Sequence, residues 1–393
     1  MTTNWVVKAI IVLILFKPTT SWANDIYINQ SGDNIDMTIV QDGENNVISS
    51  VAGNTRKAPI SGNNTSTTFT QTGDNNDIGV YMSAGNGQQT VTQTGNTNYA
   101  TSDCHGNNCS TTITQYGNNN LANLEFGNGG DSDQTGTITQ DGDYNAAGIE
   151  ANGDDNTFVI DQDGDNNAVG GITGAPITGN NNSLSITQNG DYMTFEGHLI
   201  GSNNSLTSFQ GGSANNSFIR VSTVGSNNTG DLRQGKRLDG NVDNNDSGNH
   251  EQYITVVGDG NTVNTSQVNS NGANSDHHMA HIITGDSNTL SHEQFANNKK
   301  QGYIEITGDS NTVSLQQRNG ANHLADINLT GDDHTVTGTQ WGQGGAHNFT
   351  VDLTNSGGAY NMSTTQTSNT AQTYSLTGSC ATVGGCAVSV FQN

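Results

Sequence analysis

Apolar and polar residues alternate in short bursts along this chain, and the bursts recur. In 153–170, GDDNTFVIDQDGDNNAVG, Phe158, Ile160 and Gln162 alternate with Val159 and Asp161. A period of two predicts a strand with one face inward. Gly153-x-x-Asn156 before it and Gly164-x-x-Asn167 after it read as turns, since Gly and Asn tolerate positive φ. Val169 then opens a return strand. The unit is strand, turn, strand, turn, with the grammar G-x-x-N-x5-Q-x-G-x-x-N.

Its glutamine marks the period: Gln41, Gln71, Gln93, Gln115, Gln140, Gln162, Gln188, Gln210, Gln234, Gln267, Gln294, Gln317, Gln340 and Gln366, with most gaps 22 to 27 residues. The first half of the grammar recurs at Gly201/Asn204, Gly225/Asn228, Gly258/Asn261, Gly285/Asn288 and Gly308/Asn311, and at Gly331 the Asn position becomes His334. The second half recurs at Gly43/Asn46, Gly73/Asn76, Gly95/Asn98, Gly117/Asn120, Gly142/Asn145 and Gly164/Asn167. Self-similarity at this period means a repeat architecture.

One hairpin of this kind cannot bury its inner face. Stacked copies can, setting like residues above like at about 4.8 Å. The inward Gln and Asn then form amide ladders, each side chain bonding to the copies above and below. Unstacked, a buried amide would be costly. Apolar ladders are expected beside them: Ile113, Ile138, Ile160 and Ile186 in one half, Val263, Leu290, Val313 and Val336 in the other. The expected fold is an all-β solenoid of about fifteen strand-turn-strand repeats with cross-β stacking.

Irregular gaps divide the chain. The Gln41–Gln71 gap holds Arg56, Lys57 and Pro59, and Pro176 lies in another stretched repeat, so both prolines are expected in bulged loops. The largest insertion, 235–251, carries Lys236 and Arg237 and separates repeats 24–234 from repeats 252–393. Asn five residues after the Gln is largely lost beyond it. Tyr27–Gln30 reads as a bare return strand and Val388–Gln392 as a bare outgoing one, both without a polar cap, and uncapped edges template pairing.

Residues 1–23 read as a secretory leader: Lys8, the apolar run Ala9–Phe16, then Ser21-Trp22-Ala23 with cleavage after Ala23. No later stretch is long and apolar enough to span a bilayer. Loss of Lys8 and Lys17 with the leader moves the net charge from −25 to −27. So acidic a chain is no nucleic-acid binder, which needs a basic footprint. Low hydrophobic content would ordinarily read as disorder, but the few apolar residues hold a fixed phase. Cys104/Cys109 and Cys380/Cys386 are close pairs, and in an exported chain two local disulfides are the plain reading. Zinc held with His105 is the alternative, and no second ligand pair has suitable spacing.

The phrase apolar-x-Gln-x-Gly-x-x-Asn followed by small residues, as in Ile138-Thr139-Gln140-Asp141-Gly142-Asp143-Tyr144-Asn145-Ala146-Ala147, resembles the curlin repeat of bacterial curli fibres. The likeness runs over most of the chain after the leader and is clearest from 66 to 170. It implies a β-solenoid subunit of an extracellular functional amyloid in biofilm matrix. It further implies self-association as the main partnership, export through a dedicated outer-membrane pore, and nucleation by a minor subunit. The Ser that opens the family's repeat is usually Asn here, and its second Gln is mostly absent.

Other chemistry is sparse. Asp259, Asp286, Asp309 and Asp332 occupy one corner in four successive repeats. Stacked carboxylates about 5 Å apart repel, so either protons or divalent cations relieve them or they form a solvated edge that resists sideways association. Thr68/Thr70, Thr90/Thr92, Thr112/Thr114 and Thr137/Thr139 form an outward array, read as β-branched residues on an exposed strand face or as an ice-binding plane. His277, His278, His281 and His292 cluster loosely and are expected to face solvent rather than to hold a metal. Tyr81, Tyr116, Tyr144 and Trp341 are candidates for contact with surfaces or matrix glycans. No nucleophile–base motif, phosphate loop or cofactor motif is found, and solenoid pectin-degrading enzymes need basic residues that this acidic chain lacks. The expectation is a non-enzymatic protein without cofactor or metal, and a monomeric secreted adhesin or ice binder is the alternative.

Overall fold

The computed structural model describes residues 24–26, 28–49, 58–82, 85–103, 108–126, 133–170, 175–212, 216–240, 249–269, 276–352, 354, 358–378, 380, 382 and 385–393. The leader, Tyr27, Arg56, Lys57, Cys104, His105 and residues 241–248 of the insertion therefore lie outside the described residues. The fold is all-β, with parallel strands and no helix among the described residues. Two compact units divide at Leu184/Ser185. Each is a β-solenoid, and together they hold about 13 turns against the about fifteen expected.

In the first unit, strands Asp36–Asp42, Ser66–Thr72, Gln88–Thr94, Ser110–Tyr116, Thr135–Asp141 and Thr157–Asp163 stack in sequence order. Their register sets Gln on Gln and the apolar residue two before it on its counterpart: Ile113 pairs Val91 and Ile138, and Ile138 pairs Ile160. The second sheet runs through Val47–Ser49, Asp77–Gly79, Tyr99–Ala100, Leu121–Phe126 and Ala146–Asn152. Alternation is strict, as the Thr157–Asp163 pattern of exposed and buried residues shows. The inward side chains of the two sheets interlock: Phe126 stacks on Phe158 with ring centroids 5.8 Å apart, and a Cβ on Gly136 would run into the Phe126 ring.

Pro59 and Pro176 are not in loops. Pro59 opens the Pro59–Ile60 strand opposite Asn29, and Pro176 lies in Ala175–Thr178 opposite Glu150. Both strands are short, and Pro59 holds a strand's first position, which tolerates a missing N–H.

The second unit stacks Ser205–Gly211, Thr229–Gln234, Thr262–Val268, Thr289–Phe295, Thr312–Arg318, Thr335–Trp341, Tyr360–Gln366 and Cys386–Gln392 in order. Here the apolar column sits four residues before the Gln, as Val263, Leu290, Val313 and Val336 pair in register. Thr194–Ile200, Phe218–Val224 and Glu251–Val257 begin its other wall. Lys300–Gln301, Ile304–Glu305, His323–Asn328, Asn348–Asp352 and Thr373–Thr377 form the rest. Arg237, in the described part of the insertion, lies against the outward face. The Arg237 guanidinium sits 4.5 Å from the Phe295 ring centroid and 3.5 Å from the nearly buried Glu293 carboxylate, which also holds Arg318 at 2.7 Å.

Candidate functional site

Each inward Gln lies near the end of a strand, in the first unit two residues before the corner glycine, so its carboxamide reaches across to the return strand. In the first unit Nε2 of Gln41 donates to Oε1 of Gln71 at 2.7 Å, and the chain of bonds runs through Gln93, Gln115 and Gln140 to Gln162 at 2.8–3.1 Å. In the second it runs from Gln188 through Gln210, Gln234, Gln267, Gln294, Gln317, Gln340 and Gln366 at 2.9–3.2 Å. It ends at Gln392, 2.7 Å from Gln366. The second N–H goes to a carbonyl at the start of a return strand: Gln71 to the Val47 carbonyl at 3.1 Å, Gln140 to Leu121 at 2.9 Å, Gln317 to Gln301 at 2.9 Å. Both donors and one acceptor are thus used in a buried interior, and the ladder ties the two sheets together. Its polarity is constant, nitrogen always pointing toward the later turn.

Asn46, Asn76, Asn98, Asn120, Asn145 and Asn167 make a second column that is wired differently. Oδ1 of Asn76 accepts the backbone N–H of Asn98 at 3.0 Å, and its Nδ2 donates to the Gly95 carbonyl at 2.7 Å. The same bonds recur at Asn98/Asn120 and Asn120/Asn145. These are mainly side-chain-to-backbone bonds, so the column locks corner to corner. At the opposite corner Asn204, Asn228, Asn261, Asn288 and Asn311 repeat the backbone half of the scheme at 2.9–3.0 Å. His334 follows them, and its Nδ1 accepts from Tyr360 N–H at 3.0 Å.

The corner glycines serve two ends. Gly95 has φ 117°, and a Cβ there would overlap the Gly117 carbonyl oxygen. Gly73, Gly117, Gly142 and Gly258 are alike in both respects, and Gly164 shares the positive φ. Gly285 and Gly308 need no positive φ, and there only the next corner's carbonyl bars a side chain.

The acidic corner has a structural partner. Oδ1 of Asp286, Asp309 and Asp332 accepts the backbone N–H of Asp259, Asp286 and Asp309 in turn at 2.7–2.8 Å, and Asp259 accepts from Ser226. In the first unit Asn96 and Asn118 do the same for Asp74 and Asn96 at 2.8–2.9 Å.

The histidine expectation is overturned. His277, His281 and His292 are fully buried, because the corner and wall positions they occupy point inward, and only His278 is half-exposed. His281 and His292 meet edge-on at 5.3 Å. Burial pushes the His281 imidazole well below its usual value and the His292 imidazole to about 4. Among the described residues no group of three or more His, Cys, Asp or Glu side chains is placed to hold a metal.

Cys380 and Cys386 form a disulfide, with Cα atoms 5.8 Å apart, and Cys109 is disulfide-bonded too. Tyr116, Tyr144 and Trp341 are exposed, while Tyr81 is half-buried. The outward Thr columns stand in register, Thr68 on Thr90 on Thr112 on Thr137 and Thr70 on Thr92 on Thr114 on Thr139.

These features define a repeat protein whose interior is wired by amides along the stacking axis, a scaffold rather than a pocket. The family model of the curlin associated repeat matches residues 132–164, which bears out the resemblance on that segment. No curated protein matches the chain.

Proposed function

We propose that this chain is a structural, non-enzymatic subunit of an extracellular curli-like amyloid fibre in biofilm matrix, growing by templated end-to-end stacking. The observation that carries this reading is the state of the ladder's two ends. The Gln41 Oε1 is buried and has no donor, while Gln392, whose Oε1 accepts from Gln366, has only the Thr373 carbonyl at 3.4 Å for its Nε2. One end lacks a donor and the other holds an under-used one, so a second copy would continue the ladder with its polarity kept. The edge strands agree. Inward Met37, Ile39 and Gln41 at one edge and Val388, Val390 and Gln392 at the other are half-exposed, unlike the fully buried residues one turn further in.

Such edges are templates for pairing, and the backbone bonds and ladders of each added turn supply the driving force. Secretion by a leader cleaved after Ala23 accompanies this reading from residues 1–23, and a dedicated outer-membrane pore and a nucleating minor subunit accompany it by family likeness. The units of the fibre are taken as repeats 24–234 and 252–393 around the 235–251 insertion. Electron microscopy of the purified protein over time, with amyloid-dye binding, tests it: growing unbranched fibres support it, and a persistent monomer reverses it. The registered Thr columns favour a second reading, a monomeric adhesin or ice binder, which a thermal-hysteresis assay distinguishes.

A further inference from the structure

We propose that the second unit is an acid-sensitive module, opened by protonation of an internal column of basic side chains that replaces the first unit's asparagine column. The column is His250, His277, Lys300, His323 and His347, each the residue that leads into a wall strand. Glu251 bridges to His278 and His278 to Gln301, Lys300 pairs with His323, and Leu324 pairs with Asn348, so the five stack in register. All five are buried to within 1% exposure. His250 lies flat on His277 at 4.9 Å, and His323 flat on His347 at 5.0 Å, each pair within 8° of parallel.

The hydrogen bonds fix the protonation state. Nδ1 of His250 accepts the backbone N–H of His277 at 3.3 Å, Nδ1 of His277 that of Lys300 at 3.2 Å, and Nδ1 of His323 that of His347 at 3.2 Å. This is the bond that Asn76 Oδ1 makes to Asn98 N–H in the first unit. Nε2 supplies the donor, to the Val268 carbonyl from His277 at 3.3 Å and to the Arg318 carbonyl from His323 at 2.9 Å. The His277 and His323 rings are therefore neutral Nε2–H tautomers. An imidazolium has no acceptor, so a proton on Nδ1 sets N–H against N–H and breaks the link to the next corner, whereas an asparagine oxygen is untouched by pH.

The neighbours do not rescue the charge. His250 and Lys300 flank His277, and Lys300 and His347 flank His323, all of them cationic when charged. His347 meets His323 and the Trp341 and Ser368 carbonyls. The nearby Glu251 and Lys299 act on His278, outside the column. Burial lowers the His277 and His347 imidazoles and holds that of His323 at about 4. With the folded value below the unfolded one, stability is whole above the usual imidazole value near 6.5 and is lost as pH falls toward 4. The inference concerns the fold of one unit and stands whether or not the protein forms fibres.

The test is hydrogen exchange by mass spectrometry on the full chain between pH 7 and pH 4.5, corrected for intrinsic rates. Protection around residues 323–348 is expected to fall by about 60-fold between pH 7 and pH 4.5 for the His323 ring held at about 4, and that around 277–300 to fall as well, while that of Asn76–Asn120 stays level. His323→Asn, which restores the ladder residue of the first unit, is expected to remove that share of the fall. Equal loss in both units, or an unchanged profile in His323→Asn, overturns the proposal. A wild-type arm needs no variant: ring 15N NMR at pH 7 is expected to show Nε2–H tautomers, and protonated Nδ1 in the column overturns it.

Discussion

Nε2 of Gln140 stands 2.8 Å from Oε1 of Gln162 and 2.9 Å from the Leu121 carbonyl. One side chain thereby binds its turn to the next turn and its own strand to the opposite sheet. Replacing Gln140 with Ala leaves a Gln115 donor and the Gln162 acceptor unsatisfied in the interior and removes a bond to the Leu121 carbonyl. We expect a loss of about 3 kcal/mol or more, and more still for Gln140→Glu, which buries a charge. Denaturant unfolding of the single variants checks both.

Gly95→Ala is expected to destabilise by at least about 2 kcal/mol. It places a Cβ at φ 117° and against the Gly117 carbonyl. Gly285→Ala shares only the steric half of that penalty and is expected to cost less, a ranking that thermal unfolding of the two variants reads directly.

The corner carboxylates act as acceptors, so their charge is dispensable for the fold. Asp286→Asn keeps the bond to Asp259 N–H, as Asn96 does for Asp74, and is expected to change stability by less than about 0.5 kcal/mol. Asp286→Ala is expected to cost about 1 kcal/mol. The same pair of variants, followed with and without added calcium, separates this role from cation control of assembly.

Lys300 carries the steepest alkaline dependence. Burial lowers its ammonium to about 7 although Nζ donates to the Asn297 and Asn298 carbonyls at 2.7 and 2.8 Å. A folded value below the unfolded one means stability is lost as pH falls from about 10 to 7. Unfolding midpoints of the wild type are expected to rise over that window, and those of Lys300→Asn to stay flat.

How much of this could be read from residues alone follows from what each column asks of the chain. The Gln column demands one residue type at one phase of a strand, so it survives insertions in the loops and is visible from Gln41 to Gln366. Gln392 belongs to it and escapes notice because no corner glycine follows. The first unit's Asn column is visible for the same reason: each Asn follows its Gln by five residues. In the second unit that offset grows to six at Lys300 and His323 and to seven at His347, and the residue type changes. Ala296 and Asn298 at positive φ reshape the corner before Lys300, and the column dissolves into scattered histidines that look like surface residues. Nor could the separate wiring of Asn and Gln be foreseen, since it depends on which backbone group each side chain meets.

The central claim is that the ladder passes from one molecule to the next, and a cryo-EM map of fibres grown from the purified protein tests it most directly. The account predicts a subunit junction in which the Gln392 carboxamide lies within hydrogen-bond distance of Gln41 of the next copy, with strands parallel and amide polarity unbroken. A protein that stays monomeric, or fibres whose junctions leave Gln392 and Gln41 apart, would contradict it.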